Sequence, residues 1–377
     1  SHKIEVEVLN PNELSEIFDA ISYSKGASVI RMLEQYLGEE TFRKGLQHYL
    51  SKFKYGNAKT DDLWTSLEKM SKKPVRKIMN TWTKQVGYPL VSVNRKKNKF
   101  QLKQERFLYL KKSDRTLWRI PIAVCSNKKI KYYEIDKKTI ETEKFDYINS
   151  SQVGFYRVKY DDELLKNITR MISAKELNAI DRIGIENNVY ALSRGSYSKL
   201  NNFFELLPSY KNEQDYTIWL DISSNLSQIK FFFPDIKEID DIIINIFSDI
   251  YKKIGWNVQK SHKEILLRSV VLTTLGLSNN EKVLEEAKKR FDIYLRTKEL
   301  DPDLKLAVYF MVAYSGSKEQ YEQLKNLYIE SNLQEEKIRL LSSLGKFRQK
   351  EVITEFLNFI LSDNVRYQDV TTAISSV

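Results

Sequence analysis

MNTWTKQVGYPLVSV, residues Met79 to Val93, contains a change of hydrophobic period that divides the chain. On its amino-terminal side Ile78, Met79 and Trp82 share one stripe of a 3.6-residue helix, opened by Pro74, whose fixed φ and missing N–H suit a first turn. After Gly87-Tyr88-Pro89 the spacing becomes two. Val91 and Val93, then Phe100 and Leu102, alternate with polar residues across a turn-like stretch from Arg95 to Lys99. A helical segment is therefore expected to end near residue 86 and a β region to begin at 87.

Towards the amino terminus, Leu14, Ile17, Phe18, Ile21, Val29, Met32, Leu33 and Tyr36 form one stripe, which predicts a helix from Glu13 to Leu37. Phe42, Leu46, Tyr49, Leu50 and Phe53 repeat the pattern, and Thr60-Asp61-Asp62 starts a further helix by capping. In the other direction Trp118, Ile120, Ile122 and Val124 alternate with Arg119, Pro121, Ala123 and Cys125, and Phe155 to Tyr160 reads the same way. Pro121 cannot donate to a ladder, so its strand is expected at a sheet edge. Some six short strands between 88 and 160 predict a small β-sandwich. From Asp162 onward amphipathic helices follow one another, among them Lys263 to Leu275, Glu281 to Leu295, Leu304 to Tyr314, Glu319 to Glu330 and Glu335 to Leu344. Short connections between such helices predict a solenoid-like array. The fold class is thus multidomain α+β, with segments 1–86, 87–161 and 162–377.

Basic residues number 61 against 50 acidic in 377, a net charge of +11. Runs such as Arg95-Lys96-Lys97 and Lys288-Lys289-Arg290 are scattered and interleaved with acids, the pattern of a solvated helical surface rather than of a nucleic-acid groove. The single cysteine, Cys125, excludes an internal disulfide and favours a cytoplasmic location. The longest apolar runs, such as Ile242 to Phe247, are too short to span a bilayer, so no membrane partner is expected. Helical periodicity already under way at Glu13, and a helix without a stop signal between Asn364 and Val377, read as an interior piece of a longer chain.

Familiar catalytic patterns are missing. His2, His48 and His262 have no second ligand at i+3 or i+4, and there is no HExxH, glycine-rich phosphate loop or GxSxG elbow. Cys125 within a strand pattern reads as a small hydrophobe. One position stands out: with Leu14 at zero on a helical wheel, Tyr23 falls at roughly 180°, away from the apolar stripe. Ala20, Gly26, Ala27 and Ile30 surround it, and a helical glycine, which costs about 1 kcal/mol against alanine, points to a close approach on that face. Two roles remain open on the residues alone, a buried structural tyrosine with its hydroxyl satisfied or a hydroxyl lining a confined site. Lys25 lies within the stripe, where it could snorkel or pair with an acid, and Arg157 alternates outward from Tyr156 and Val158; neither is assigned a catalytic role.

The stretch FDAISYSKGASV, Phe18 to Val29, resembles the helix that follows the zinc site in gluzincin aminopeptidases of the aminopeptidase N, puromycin-sensitive and tricorn-interacting-factor type. YGNAKTDDLW (55–64), MNTWTKQVGYPLVSV (79–93), WRIPIAV (118–124), VGFYRVKYD (153–161), IDRIG (180–184), DYTIWL (215–220) and NVRYQD (364–369) resemble further segments of the family, in family order. The resemblance implies the carboxy-terminal helical part of a thermolysin-like catalytic domain in 1–86, a β-sandwich domain in 87–161, and an incomplete helical domain of HEAT or armadillo type in 162–377. It further implies a parent enzyme that binds zinc and removes amino-terminal residues from peptides. The zinc histidines, the water-activating glutamate and the GxMEN segment are absent, so zinc is expected in the parent and none on this stretch, which alone is expected to be inactive. Expected partners are peptides and the missing amino-terminal half of the enzyme.

By the same resemblance Tyr23 is similar in role to an oxyanion-hole donor. The resemblance also implies that the helical domain closes a chamber over the active site; Arg366, within NVRYQD, would meet a peptide carboxylate at the border of that chamber, and its alternative is a surface arginine paired with an acid such as Asp363. A non-enzymatic helical scaffold or peptide-binding module built on the same domains is the competing function.

Overall fold

The computed structural model describes residues 2–8, 10, 12, 17–110, 114–258 and 261–377. The chain forms two compact units, Ser1–Tyr210 and Lys211–Val377.

In the first unit a π-helical turn, Ile21–Lys25, runs directly into α1 (Gly26–Leu37). Three more helices follow: α2 (Glu39–Lys52), α3 (Thr60–Ser71) and α4 (Val75–Thr83). Gly38, at φ +87°, separates α1 from α2 in a conformation that L side chains rarely adopt. The Asp62 carboxylate accepts the Lys59 N–H at 2.9 Å and so starts α3, as the Thr60-Asp61-Asp62 signal predicts. One uninterrupted helix from Glu13 to Leu37 is not what forms. Glu13 and Leu14 lie outside the described residues, and Phe18 and Asp19 make a bend. The cause is local: the Asp19 carboxylate takes the N–H groups of Ile21 and Ser22, so the helix begins afresh after it.

Seven strands follow among the described residues. β1 (Pro89–Lys96), β2 (Lys99–Arg106), β5 (Thr139–Thr142) and β7 (Arg157–Tyr160) form one sheet in the order β5-β2-β1-β7. β3 (Ile120–Ser126), β4 (Lys129–Ile135) and β6 (Tyr147–Ile148) form a second, in the order β4-β3-β6. β1 and β2 are a hairpin closed by two residues, Lys96 facing Lys99, with Lys97 at φ +50°. β7 lies parallel to β1, an arrangement that needs a long crossover, and here the chain passes through the whole second sheet between them.

Buried polar groups tie the two sheets together. Tyr160 donates its hydroxyl hydrogen to the Ile148 carbonyl at 3.0 Å and accepts the Ile148 N–H at 3.2 Å. Gln104, fully buried, donates to the Trp118 and Lys137 carbonyls at 2.8 and 3.0 Å and accepts the Trp118 N–H at 2.9 Å. An amide satisfied on three sides costs little to bury. The expectation for Pro121 needs correction, because β3 is the central strand of its sheet. Proline is tolerated there since β6 pairs with β3 only at Val124 and Cys125, which leaves Pro121 without a partner on that side. Nor does β3 alternate in and out; six of its seven residues are buried, and α1 packs against it.

α5 (Asp162–Ser173), α6 (Ala179–Arg194) and α7 (Leu200–Leu206) complete the first unit, α5 and α6 capped by the side chains of Asp161 and Asn178. Leu90, Phe107, Ala191 and Leu192 share a core cluster, with Tyr88 and Tyr197 stacked on Phe107 at 5.5 and 5.3 Å.

The second unit is helical throughout its described residues: α8 (Tyr216–Phe232), α9 (Lys237–Ile254), α10 (His262–Leu277), α11 (Glu281–Thr297), α12 (Lys305–Ser315), α13 (Lys318–Glu330), α14 (Gln334–Leu344), α15 (Lys350–Ile360) and α16 (Tyr367–Ile374). α8, α10, α12, α14 and α16 contact one another in a row, while α9, α11, α13 and α15 each pack on the even-numbered helix that follows. That is the two-row stack of a solenoid. Sequence patterning matches the rows: α12, KLAVYFMVAYS, is apolar on almost every side because it has neighbours on almost every side. Among the described residues no helix is long and apolar enough to cross a membrane.

Candidate functional site

Tyr23 sits in the middle of the π-helical turn. A π turn has poorer hydrogen-bond geometry than an α turn and recurs at functional positions, so what holds it in place matters. At its start the Asp19 Oδ1 accepts the N–H groups of Ile21 and Ser22, both at 2.9 Å, and Oδ2 faces His2 Nε2 at 3.0 Å. The Ser22 N–H, above all, holds the Asp19 carboxyl below its usual range. The Lys3 carbonyl, then Asp19, raises His2.

At the end of the turn Lys25 is only 6% exposed. It heads the stripe that continues through Val29, Met32 and Leu33, as the wheel places it. Its ammonium pairs with no acid among the described residues; Nζ donates to the Gln85 carbonyl at 3.1 Å. Burial, and then the nearby Arg106 charge, push this lysine down to about 8.

The side chain of Tyr23 points the other way and is 62% exposed. Its ring lies 5.9 Å from that of Phe18, itself exposed, and among the described residues nothing bonds its hydroxyl. Ala20, Ala27 and Ile30 are exposed with it. Among the described residues Tyr23 is therefore neither buried nor bonded through its hydroxyl. The inference from Gly26 also needs correction: a Cβ there would meet open space, so no close approach within the described residues requires glycine.

Arg366 lies in the second unit, at the N-cap of α16. It pairs with Asp369 rather than Asp363: Nε to Oδ2 is 2.8 Å and Nη2 to Oδ1 is 3.2 Å, and this pairing raises the guanidinium pKa. The helical spacing of three residues selects Asp369. The Arg366 side chain nonetheless remains 51% exposed. Arg157 alternates with the buried Tyr156 and Val158 as expected, is half-buried, and donates to Asn187 and Asn188 of α6. Burial raises the Cys125 thiol, which disfavours the thiolate. Among the described residues no group of three or more His, Cys, Asp or Glu could hold a metal ion, so these residues do not fit a zinc site.

One cluster is not foreshadowed by the sequence patterns. Asp181, in the IDRIG stretch, is fully buried and accepts from the Tyr147 hydroxyl (2.9 Å), the Ser151 N–H (2.5 Å) and the Asn178 side-chain amide (2.8 Å). It thereby holds the loop Asn149–Gln152, in which Asn149, Ser151 and Gln152 all have positive φ. The signal available in sequence was an acid one turn into a capped helix beside Gly184, where a Cβ would fall 2.0 Å from Gln152 Cδ.

Compared with known proteins, residues 146–377 match the ERAP1-like C-terminal domain and residues 1–82 the Peptidase family M1 domain. The chain is 38% identical to Aminopeptidase M1 of Arabidopsis thaliana over 412 aligned positions, covering 100% of this chain and 47% of that protein. It is 36% identical to the Alanine/arginine aminopeptidase of Saccharomyces cerevisiae (98% and 45% covered) and 34% to the Glutamyl aminopeptidase of Rattus norvegicus (99% and 42%). The chain thus spans about half the length of the curated relatives it matches.

Proposed function

The chain belongs to the M1 family of zinc aminopeptidases, and from that premise we propose that it is the part of such an enzyme that supplies the oxyanion-stabilising tyrosine and the walls of the peptide chamber. The whole enzyme would remove residues from the amino termini of peptides. Within it, residues 1–86 would finish the catalytic domain, 87–161 form the sandwich domain and 162–377 the helical domain. M1 enzymes use zinc; its ligands would come from residues outside this stretch.

The observation that carries the proposal is the state of Tyr23: an exposed phenol without a bonded partner among the described residues, on a turn fastened at both ends. As a peptide bond is hydrolysed, its carbonyl oxygen gains negative charge, and a neutral phenol donates to that oxygen more strongly in the transition state than in the substrate. Ala20 and Ala27, small and exposed, stand three residues before and four residues after Tyr23.

The full-length protein should hydrolyse aminoacyl nitroanilides that have a free amine, reject their N-acetylated forms, and lose the activity to a metal chelator. Peptide binding without hydrolysis would instead establish the scaffold reading.

Arg366, in the second unit, is proposed separately as a group that meets a peptide carboxylate, its side chain being half exposed despite the Asp369 pair. Arg366→Ala takes the ion pair from the buried Asp369 carboxylate and leaves it the Gln334 amide, so a melting curve accompanies the kinetics. The variant should raise KM about fivefold for peptides with a free carboxylate and leave amidated peptides unaffected, a loss of about 1 kcal/mol of binding. Equal KM changes for both peptide forms would remove the assignment.

A further inference from the structure

We propose that Lys25 is a positioning residue for Tyr23, an inference that rests on the catalytic reading of that phenol. Lys25 closes the π turn that carries Tyr23 and is buried among the apolar positions of the following helix. Methionine or leucine would fill such a position without the penalty of burying an ammonium, and among the described residues no carboxylate offsets that penalty. A residue that breaks the local apolar rule at a cost is expected where it sets geometry.

What Lys25 grips is itself fixed. The Gln85 carbonyl lies just beyond the carboxy-terminal end of α4, where the helix dipole favours a cation. The Gln85 side-chain amide donates to the Thr81 and Leu117 carbonyls at 2.9 and 3.2 Å. Thr81 Oγ1 in turn accepts the Arg119 N–H at 3.1 Å, and Trp82 Nε1 donates to the Arg119 carbonyl at 3.0 Å. The turn is thus tethered to the junction between α4 and the second sheet. Asp19 holds the other end, so the phenol between them has little freedom to drift.

A displaced turn moves the hydroxyl, and misplacement by about 1 Å can cost on the order of 100-fold in rate. The tests are Lys25→Met, Tyr23→Phe and the double variant in the full-length enzyme. Lys25→Met should fold with a melting temperature at or above wild type, keep KM and metal content, and lose about tenfold in kcat. In the Tyr23→Phe background the same change should have no further effect on kcat, because the group it positions is gone. An equal fractional loss in both backgrounds, or unchanged kcat with lower stability, overturns the proposal and leaves the catalytic reading of Tyr23 intact. Tyr23→Phe with wild-type kcat removes both. Should Lys25→Met fail to accumulate as folded protein, the same cycle on Lys25→Arg, which keeps a cation at a longer reach, separates the same outcomes.

Discussion

In the full-length enzyme Tyr23→Phe should lower kcat by about 10²- to 10³-fold, the usual loss of one oxyanion donor, with KM and zinc content little changed. The substitution removes one oxygen and nothing else. In a structural tyrosine that oxygen would serve the fold, and its loss would cost about 1 kcal/mol of stability with turnover nearly intact. Here no bond to the hydroxyl exists among the described residues, and the ring is largely exposed beside Phe18. Folding stability should therefore move by less than about 0.5 kcal/mol, the range of surface substitutions. Steady-state kinetics and a melting curve on one preparation separate the outcomes, and a variant with wild-type kcat would end the catalytic assignment.

Asp181→Ala should destabilise the first unit by about 1–3 kcal/mol, because it takes the acceptor from one buried and two part-buried donors. Those donors are the Tyr147 hydroxyl, the Ser151 N–H and the Asn178 amide. The pH dependence has a definite sign. Burial raises the Asp181 carboxyl despite its hydrogen bonds, so the protonated form is favoured by folding. Its contribution is fully present below the unfolded carboxyl's range and is lost as pH rises through the raised folded value. The loss in Asp181→Ala should thus be larger at acid than at neutral pH, the reverse of a salt-bridged carboxylate. Unfolding followed at both pH values, with hydrogen exchange at Ser151, checks magnitude and sign. A loss under about 1 kcal/mol would mean that water replaces the carboxylate.

Much of the fold could be read from residues alone wherever the signal is local. The helices read as Lys263 to Leu275, Glu281 to Leu295 and Glu319 to Glu330 form within two residues of those limits, since caps and apolar stripes lie within the helices they define. The switch of period at Pro89 is likewise local, and β1 starts there. Lys25 on the stripe and Tyr23 opposite it follow from helical spacing. What spacing does not contain is a partner. Nothing near Lys25 announces Gln85, sixty residues away, and nothing near Asp181 announces Tyr147. The parallel pairing of β7 with β1 and the central place of β3 despite Pro121 are of the same kind. Amino-acid order by itself determined where most of the helices and the change from helix to strand fall, because periods of 3.6 and 2 are properties of neighbouring residues. Only the tertiary structure decided which faces meet and which polar atoms pair, because those choices depend on the packing of segments distant along the chain.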